Sequence, residues 1–344
     1  MTTIKEIAKA CGVSVATVSN IINNKGSVGN ETRKRVTDAI REMNYTPNIV
    51  AKNLKMKQTR SIGVIAEDMT VFSMPEIIDG ITEYCEQEDY QILLTNLRLY
   101  KKFSDSYYRE NMHTDLVHKE MQKLLSKQVE GIIYVAAHER LINFMPEDIP
   151  IPTVVAYGYT KDVKIPSVIV DDVSGAYDIM NYLIGLGHKD IGIIAGKKDS
   201  AHTQARLEGC QKALFDNGLL YNPKGILYGE WDRESGYKHT DELIKRGVSA
   251  VFCMNDIMAG GVYDRLSDLN LQVGKDISVV GYDNRDIASY TKPPLTTVSL
   301  PLHQIGYEAS KIIVSILNNE PIDESGAYYV PCNICMRKSV IEKE

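Results

Sequence analysis

Apolar positions in the first 46 residues recur at helical spacing and are broken by glycine and small polar residues, a pattern typical of short packed helices. Thr3 and Glu6 fit a capping box that starts a first helix, and Gly12 permits the left-handed turn that ends it. Ser14 can cap a second helix over residues 15–23. The pattern therefore predicts two helices joined by a turn of a few residues.

A third helix is predicted over residues 31–43, with Asn30 as its cap. Three helices with a short second member place one helix N-terminus in a DNA major groove. We therefore predict an all-α helix-turn-helix head over residues 1–46, with a helical hairpin that has no DNA role as the alternative. The apolar positions that would bury the helices against one another are Ile7, Ala8, Val13, Val18 and Ile21.

From Ser61 onward, apolar runs alternate with helical periods, which is the rhythm of a parallel, doubly wound sheet. The first series of runs is SIGVIAED, YQILLTNL, GIIYVA and TVVAYG, and a second series begins at PSVIVDD and ends with SVVGYD. Helices are predicted between the runs, near 75–89, 114–128, 172–187, 203–218, 234–246 and 256–269.

The predicted fold class is α/β, an all-α head followed by two Rossmann-like parallel-sheet lobes that face each other across a ligand cleft. The predicted divisions after the head are a linker over 47–60, a first lobe over 61–168 and 299–328, and a second lobe over 169–298 and 329–344.

The net charge of −6 hides an uneven distribution along the chain. The first sixty residues carry eleven Lys and Arg against four Asp and Glu, a net charge of +7, so the remainder carries −13. A basic head on an acidic body favours a polyanion partner for the head alone.

No apolar run approaches the roughly 20 residues of a membrane span, and the N-terminus lacks the apolar stretch of a secretory signal. We therefore expect a cytoplasmic protein without a membrane partner. The six cysteines are scattered, so no disulfide is expected. Cys332 and Cys335 form a CxxC, but they lie in a predicted strand without a second ligand pair, so we predict neither a metal nor a cofactor.

The second helix is predicted to read the DNA. Asn20 can bond a base edge, Val15 and Ala16 can contact thymine methyl groups, and hydroxyl groups near the helix start suit phosphates. The predicted DNA-contacting residues of the head are Ser14, Val15, Ala16, Thr17, Asn20 and Asn23.

The segment TIKEIAKACGVSVATVSNIINNKGSVGNETRKRVTDAIREMNYTPNIVAKNL resembles the head of the lactose and galactose repressor family. The resemblance implies a hinge after the third helix that becomes helical only on operator DNA, with Leu54 wedged into the minor groove and Ala51 beside it. This hinge, residues 47–54, has eight residues, which are too few for a stable isolated helix, and this agrees with folding on DNA. The linker residues nominated for DNA contact are Asn48, Ala51, Lys52, Leu54 and Lys55; a packing leucine and a solvated lysine face are the alternatives.

The body resembles the periplasmic sugar-binding fold that this family uses as its sensor. The motifs that carry the resemblance are GHKDIG at 187–192, Asn255-Asp256, and ISVVGYD at 277–283. His188 follows a helix-ending glycine, so we expect it to fix a turn rather than to contact a ligand.

Polar groups at predicted strand ends nominate an effector site. The resemblance implies that Arg206 donates paired hydrogen bonds to vicinal hydroxyls, and Asp283 ends SVVGYD and can accept them; a structural salt bridge is the alternative. Asn255 can donate and accept, and Trp231 can stack on a sugar face. The wall expected from the first lobe is Val71, Phe72, Ser73, Val135 and Tyr157.

Two features depart from the family pattern. Leu300 and Leu302 stand where sugar regulators of the family often place polar or aromatic groups, which leaves the ligand open although Leu300 is kept as a site residue. Residues 99–115 form a longer connection than usual. Its aromatic side chains, which could cover the pocket, join a subunit contact or lie exposed, are Tyr100, Phe103, Tyr107 and Tyr108.

Together these features predict a homodimeric transcription regulator that binds double-stranded operator DNA, with a small-molecule effector, a sugar, between its lobes. A nucleobase or other corepressor in the same fold is the alternative. A sugar-binding transport component would need an export signal and no basic head. An enzyme would need a nucleophile, an acid–base pair or a metal cluster, and the nominated residues bind rather than react.

Overall fold

The computed structural model describes residues 2–22, 25–45, 58–104, 106, 113–146, 148–323 and 326–343. The chain divides into two compact units, residues 1–59 and 60–344, which we call the head and the body.

The described part of the head contains the three predicted helices. The Thr3 hydroxyl accepts from the Glu6 amide at 3.3 Å while the Glu6 carboxylate accepts from the Thr3 amide at 2.7 Å, so the capping box is confirmed. Ser14 Oγ accepts from the Thr17 amide at 3.0 Å and caps the second helix. The helices are α1 (Ile4–Ala10), α2 (Val15–Ile22) and α3 (Asn30–Glu42).

The predicted cap of α3 was wrong by one residue. Asn30 is already helical, and the N-cap is Gly29, which has no side chain to accept a hydrogen bond. The predicted apolar core of the head is confirmed except at Val13, which is half-buried. The buried apolar side chains of the head are Ile7, Ala8, Cys11, Val18, Ile21 and Val36.

The described residues of the body form two six-stranded sheets. The strands are β1 (Ser61–Ala66), β2 (Gln91–Asn96), β3 (Gly131–Val135), β4 (Thr153–Ala156), β5 (Ser167–Asp171), β6 (Ile191–Ala195), β7 (Ile226–Tyr228), β8 (Ala250–Cys253), β9 (Ser278–Asp283), β10 (Thr296–Ser299), β11 (Ala327–Pro331) and β12 (Asn333–Cys335). The first sheet has the order β11-β5-β4-β3-β1-β2, and its pairings are parallel. The second has the order β12-β10-β9-β8-β6-β7, and β12 runs antiparallel to β10. We call the two sheets with their helices the first and second lobes.

Helices between the strands cover the sheets, as expected of a doubly wound fold. They are α4 (Met74–Gln87), α5 (Leu99–Phe103), α6 (Thr114–Ser126), α7 (Asp172–Gly185), α8 (Ala201–Asp216), α9 (Arg233–Lys245), α10 (Asp256–Asp268), α11 (Ile287–Tyr290) and α12 (Leu302–Leu317). The six helices predicted from periodicity begin and end within two residues of these bounds. No helix in the described part of the chain is long and apolar enough to cross a membrane.

Close backbone packing joins α4 to α12. A Cβ added at Gly80 would lie 1.9 Å from the carbonyl oxygen of His303, and one at Gly306 would lie 1.9 Å from that of Ile77. Glycine is therefore required at both positions for this approach.

The sequence analysis expected the second lobe to begin at PSVIVDD, and this expectation was wrong. This run is β5, which pairs with β4 and β11 in the first sheet, so the predicted divisions at 168/169 and 328/329 fall inside strands. No helix separates β4 from β5, and a fully buried apolar run does not reveal which sheet it joins. The chain crosses between lobes after Asp171, Ser299 and Pro331, which places Asp172 at a crossing point.

Candidate functional site

Helix α2 presents the side chains that the sequence analysis nominated for base contact. Val15, Ala16 and Asn20 are exposed, whereas Val18 and Ile21 are buried against the other helices. This alternation follows from the helical period, which places residues one turn apart on one face. Val15 and Ala16 lie at the start of the helix, where backbone amides are available to anions, and Asn20 lies one turn further along.

The hydroxyl groups of Ser14 and Thr17 lie 2.9 Å apart at the start of α2. Both can also contact a phosphate, because each hydroxyl has one donor and two acceptor sites. The nominated residues Asn23, Asn48, Ala51, Lys52, Leu54 and Lys55 lie outside the described residues, as do Tyr107 and Tyr108.

Arg206 of α8 is the buried centre of the candidate effector site. Its Nη1 lies 3.8 Å from Asp283 Oδ1, so the structure brings the predicted pair together. A residue that was not predicted holds it more closely, since Nε donates to Asp172 Oδ1 at 2.8 Å. The guanidinium also lies 3.7 Å from the ring centroid of Tyr282 and 5.8 Å from that of Trp231.

Asp172 in turn contacts His202, one turn before Arg206 on α8. His202 Nδ1 lies 2.5 Å from Asp172 Oδ2, and its Nε2 lies 3.4 Å from the hydroxyl of Tyr157. Burial alone would raise the pKa of Asp172, but Arg206 and His202 hold it well below its usual range. Burial would lower the pKa of His202, yet the Asp172 charge and hydrogen bond raise it. The carboxylate is therefore ionised and shared between two basic groups.

Two further carboxyl groups lie near this cluster. Glu139, in the loop after β3, accepts a hydrogen bond from the Val170 amide at 3.1 Å, and burial raises its pKa to about 7. Burial likewise raises the pKa of Asp283 to about 6, against the lowering effect of Arg206. Glu139 and Asp283 therefore keep their protons to a higher pH than solvent-exposed carboxyl groups do.

Asn255 and Trp231, both predicted for the effector site, contact each other, and both also have structural roles. The Asn255 side chain accepts from the Met258 amide at 2.7 Å as the cap of α10, and its Nδ2 donates to the Trp231 carbonyl at 3.0 Å. Trp231 has a φ of 67°, and its ring packs so closely on Gly196 that a Cβ there would lie 2.0 Å from it. Asn255 therefore fixes the backbone that aims the indole.

The residues nominated from the first lobe divide into two groups. Phe72 is half-buried and lies 4.6 Å, ring centroid to Cζ, from Arg285 of the second lobe, while Tyr157 reaches His202 of that lobe. These two side chains bridge the lobes. The others pack in or against the hydrophobic core, with Ser73 Oγ donating to the Ala137 carbonyl at 3.3 Å; they are Val71, Ser73, Val135 and Leu300, joined by Leu302.

Burial and hydrogen bonding also define a second network, around Glu67, that the sequence did not suggest. Glu67 follows β1 and is fully buried, and Arg140 contacts both of its oxygens at 2.6 and 2.9 Å. The hydroxyl of Tyr134 and the amide of Ala137 donate to the same carboxylate. Burial would raise the pKa of Glu67, but Arg140 and these hydrogen bonds lower it overall.

His188 has the structural role expected of it. The ring is buried, Nδ1 lies 2.9 Å from Ser249 Oγ, and Nε2 lies 2.9 Å from the Ile341 carbonyl. It ties the turn after α7 to the last segment of the described chain.

The sequence analysis missed Asp172, His202, Glu139 and Tyr282. Two of these had a usable signal, because Asp172 directly follows a predicted strand and His202 precedes Arg206 by four residues on the same helix. The polar residues of the site lie at or near the carboxyl ends of strands or in the first two turns of the next helix, where open α/β sheets bind ligands. Together they offer hydrogen-bond donors, acceptors and aromatic faces, without a nucleophile placed for reaction.

Both parts of the chain match known families. Residues 3–48 match the bacterial regulatory proteins of the lacI family, and residues 180–340 match a periplasmic binding protein-like domain. The HTH-type transcriptional regulator RegA of Clostridium saccharobutylicum is 34% identical, with 100% of this chain and 98% of that protein covered. The HTH-type transcriptional repressor PurR of Pasteurella multocida is 33% identical over 99% of each protein.

Solved structures agree with these relatives. The lac repressor dimer bound to operator and the anti-inducer ONPF superposes with a TM-score of 0.74, at 26% identity over 99% of each chain. The lac repressor bound to ONPG in the repressed state gives a TM-score of 0.76, at 26% identity over 98% of this chain and 99% of that one. This chain belongs to the LacI family of DNA-binding transcription regulators.

Proposed function

We propose that this regulator controls genes of carbohydrate uptake or catabolism by repression, and that a sugar bound around Arg206 sets its affinity for operator DNA. One observation carries the proposal. Arg206 is buried between Asp172 and Asp283 and faces the rings of Tyr282 and Trp231. Such a group of fixed donors, acceptors and aromatic faces suits the hydroxyls and the apolar face of a sugar ring.

On the DNA side, the proposal assigns base contacts to the exposed face of α2. Asn20 would bond a base edge, Val15 and Ala16 would contact thymine methyls, and Ser14 and Thr17 would bond phosphates. The linker residues Asn48, Ala51, Lys52, Leu54 and Lys55 are proposed to bind the centre of the site. Two copies of the chain would form a homodimer that reads the two halves of a pseudo-palindrome. This homodimer would act in the cytoplasm, where bacterial DNA lies. The lac repressor structure named above is such a dimer on its operator.

The regulatory step requires that the ligand distinguish two states of the protein. A ligand with equal affinity for the DNA-binding and DNA-free arrangements shifts nothing, however tightly it binds. Phe72 with Arg285 and Tyr157 with His202 connect the two lobes. A sugar that changes these contacts would bind one arrangement of the lobes better than the other.

A nucleobase corepressor is the second candidate. The PurR repressors among the relatives are as compatible with a nucleobase corepressor as with a sugar effector. The aromatic side chains of Phe72 and Trp231 can stack on a flat heterocycle.

A thermal-shift screen separates the candidates. Purified full-length protein is heated with mono- and disaccharides and, separately, with guanine and hypoxanthine. A ligand present at a hundredfold excess over its Kd should raise Tm by roughly 5 °C or more. The shift should be lost in Asp283→Asn and kept in Asp264→Asn, which changes an exposed aspartate on α10. A shift with nucleobases alone would replace the sugar proposal by the second candidate, and a shift that persists in Asp283→Asn would overturn the proposed site.

A further inference from the structure

The side chains of Glu139, Asp172 and His202 converge in the body, and each offers one ligand atom within 4.8 Å of the other two. Glu139 belongs to the first lobe, His202 to α8 of the second, and Asp172 stands where the chain crosses between them. In a four-coordinate zinc site with bonds of about 2.0 Å, neighbouring ligand atoms lie roughly 3.3 Å apart. Small side-chain movements would therefore bring the three atoms to coordinating positions.

We propose that Glu139, Asp172 and His202 form a binding site for a divalent transition-metal ion that joins the two lobes. One imidazole nitrogen and two carboxylate oxygens suit Zn²⁺, Mn²⁺, Fe²⁺ or Co²⁺ better than Mg²⁺ or Ca²⁺, which prefer oxygen ligands alone. Three protein ligands leave a further coordination position for water or a ligand hydroxyl.

Groups outside the triad already hold each of the three ligands in place. His202 Nε2 faces the Tyr157 hydroxyl at 3.4 Å, Arg206 Nε donates to the second oxygen of Asp172 at 2.8 Å, and the Val170 amide donates to Glu139. Metal ligands in proteins are regularly oriented by such outer hydrogen bonds. His202 Nδ1 and Asp172 Oδ2 are joined by a short hydrogen bond, and a metal ion that bound both atoms would replace the proton between them.

The charge at the triad also favours a cation. A bound metal ion requires His202 and Glu139 without their protons, and Asp172 then keeps Arg206, which also faces Asp283, as its cationic partner among the described residues. A divalent ion would complete the neutralisation of this buried acidic group.

A surface groove reaches two of the three proposed ligands, Glu139 and Asp172. It has a volume of about 350 Å³ and is lined by Glu139 and Asp172 together with residues of β5, β11 and the first turns of α8. Its walls include Tyr159, Val163, Ala205 and Tyr329. The site is therefore reachable from solvent beside the edge of the first sheet.

Cobalt absorption tests the proposal without DNA or effector, so its failure is distinguishable from failure of the proposed function. Full-length protein is stripped with EDTA, dialysed and titrated with Co²⁺ while visible d–d absorption is recorded. We expect saturation at one equivalent, with Zn²⁺ abolishing the bands. Glu139→Gln and His202→Gln should each bind at least tenfold more weakly, and Tyr157→Phe should weaken binding by about tenfold or more through the outer hydrogen bond.

His303→Gln is the matched control. His303 Nε2 of α12 lies 3.0 Å from Glu83 Oε2 and 3.6 Å from Asp79 Oδ2 of α4, all on side chains at least 37% exposed, so this variant removes a histidine that, like His202, has two nearby carboxylates. Its titration should match that of the unaltered protein. Glu139→Gln keeps an oxygen that can accept from the Val170 amide, so it decides the result if His202→Gln fails to fold. Absence of saturable binding, or bands lost only in His303→Gln, would overturn the proposal.

Discussion

Arg206 and Asp172 form a buried ion pair in which Nε donates to Oδ1 at 2.8 Å and each side chain is at most 2% exposed. The two residues come from consecutive helices, and Asp172 begins the first helix after the chain has crossed between the lobes. The pair therefore links the arginine of the candidate effector site to a crossing point, where movement of one lobe relative to the other would be concentrated.

Breaking this pair should destabilise the body strongly. Asp172→Asn removes the negative charge that compensates the buried guanidinium, and we expect the free energy of unfolding to fall by about 3–5 kcal/mol. Asp264→Asn breaks an exposed Arg233–Asp264 pair with similar contacts, at 2.5 and 2.6 Å, and should cost less than about 1 kcal/mol. Urea unfolding of both variants measures the difference. Equal losses would show that burial of the Arg206 pair has no energetic consequence.

The approach of α4 to α12 should tolerate no side chain at Gly80. Gly80→Ala would place a Cβ 1.9 Å from the His303 carbonyl, so the helices must separate, at a cost of about 1–3 kcal/mol or more. Gly185→Ala is the control, because that helical glycine has open space around it and alanine favours a helix by up to about 1 kcal/mol. Thermal unfolding should show a lower Tm for the first variant only. A Tm unchanged by Gly80→Ala would contradict the packing.

The stability of the body should depend on the protonation of Asp256. Burial raises the pKa of this carboxyl from 3.8 to about 7, so the folded chain holds a proton that the unfolded chain has released. This contribution is fully present below about pH 4 and is lost as pH rises through 7, with a slope of at most about 1.4 kcal/mol per pH unit.

Asp256→Asn should remove that slope. The amide can accept from the Arg285 backbone and donate to Thr297 Oγ1, which preserves both contacts of the carboxyl. Urea unfolding from pH 5 to 8 should show that the free energy of unfolding of the unaltered protein declines more steeply than that of the variant. Parallel curves would show that Asp256 is ionised throughout.

The proposed DNA contacts predict two kinds of loss. Asn20→Ala should reduce discrimination at one base pair by about 1–3 kcal/mol, because a base-edge hydrogen bond is removed. Lys52→Ala should weaken binding to all duplexes alike and reduce the dependence of affinity on salt, because a phosphate contact is removed. Sites selected from a randomised duplex library, followed by anisotropy titrations at several salt concentrations, would separate the two. Identical changes in both variants would contradict the assignment of Asn20.

The sequence predicted most elements of this fold because their signals are local. Helical period and capping residues located α1 and α2, and apolar runs located strands β1 to β9, whereas β10 was not predicted and β11 and β12 were predicted as a single strand. The placement of β5 was wrong because membership of a sheet depends on pairing with distant strands, and β5 lies between β4 and β11. Likewise Gly29 rather than Asn30 caps α3, a difference of one residue that depends on backbone dihedral angles.

The sequence predicted those residues of the candidate site whose position after a strand or within a motif was visible from the sequence alone. Arg206, Asp283, Trp231 and Asn255 all follow strands or stand in recognisable motifs, and the structure places them together. Glu139 was missed because acidic residues are common on surfaces and only tertiary burial distinguishes it, whereas the position of Asp172 directly after a predicted strand was a signal that the sequence analysis did not use. The linker residues lie outside the described part of the chain, so their role stays a prediction.

The coupling between cleft and DNA is the central claim, and one titration tests it most directly. A fluorescent duplex carrying the selected site is titrated with full-length protein, with and without the sugar that gives the largest thermal shift. The account predicts that a saturating sugar changes Kd by at least tenfold, and that Asp283→Asn, compared with its own ligand-free Kd, shows no such response. A Kd that stays constant while the sugar demonstrably saturates the body would contradict it.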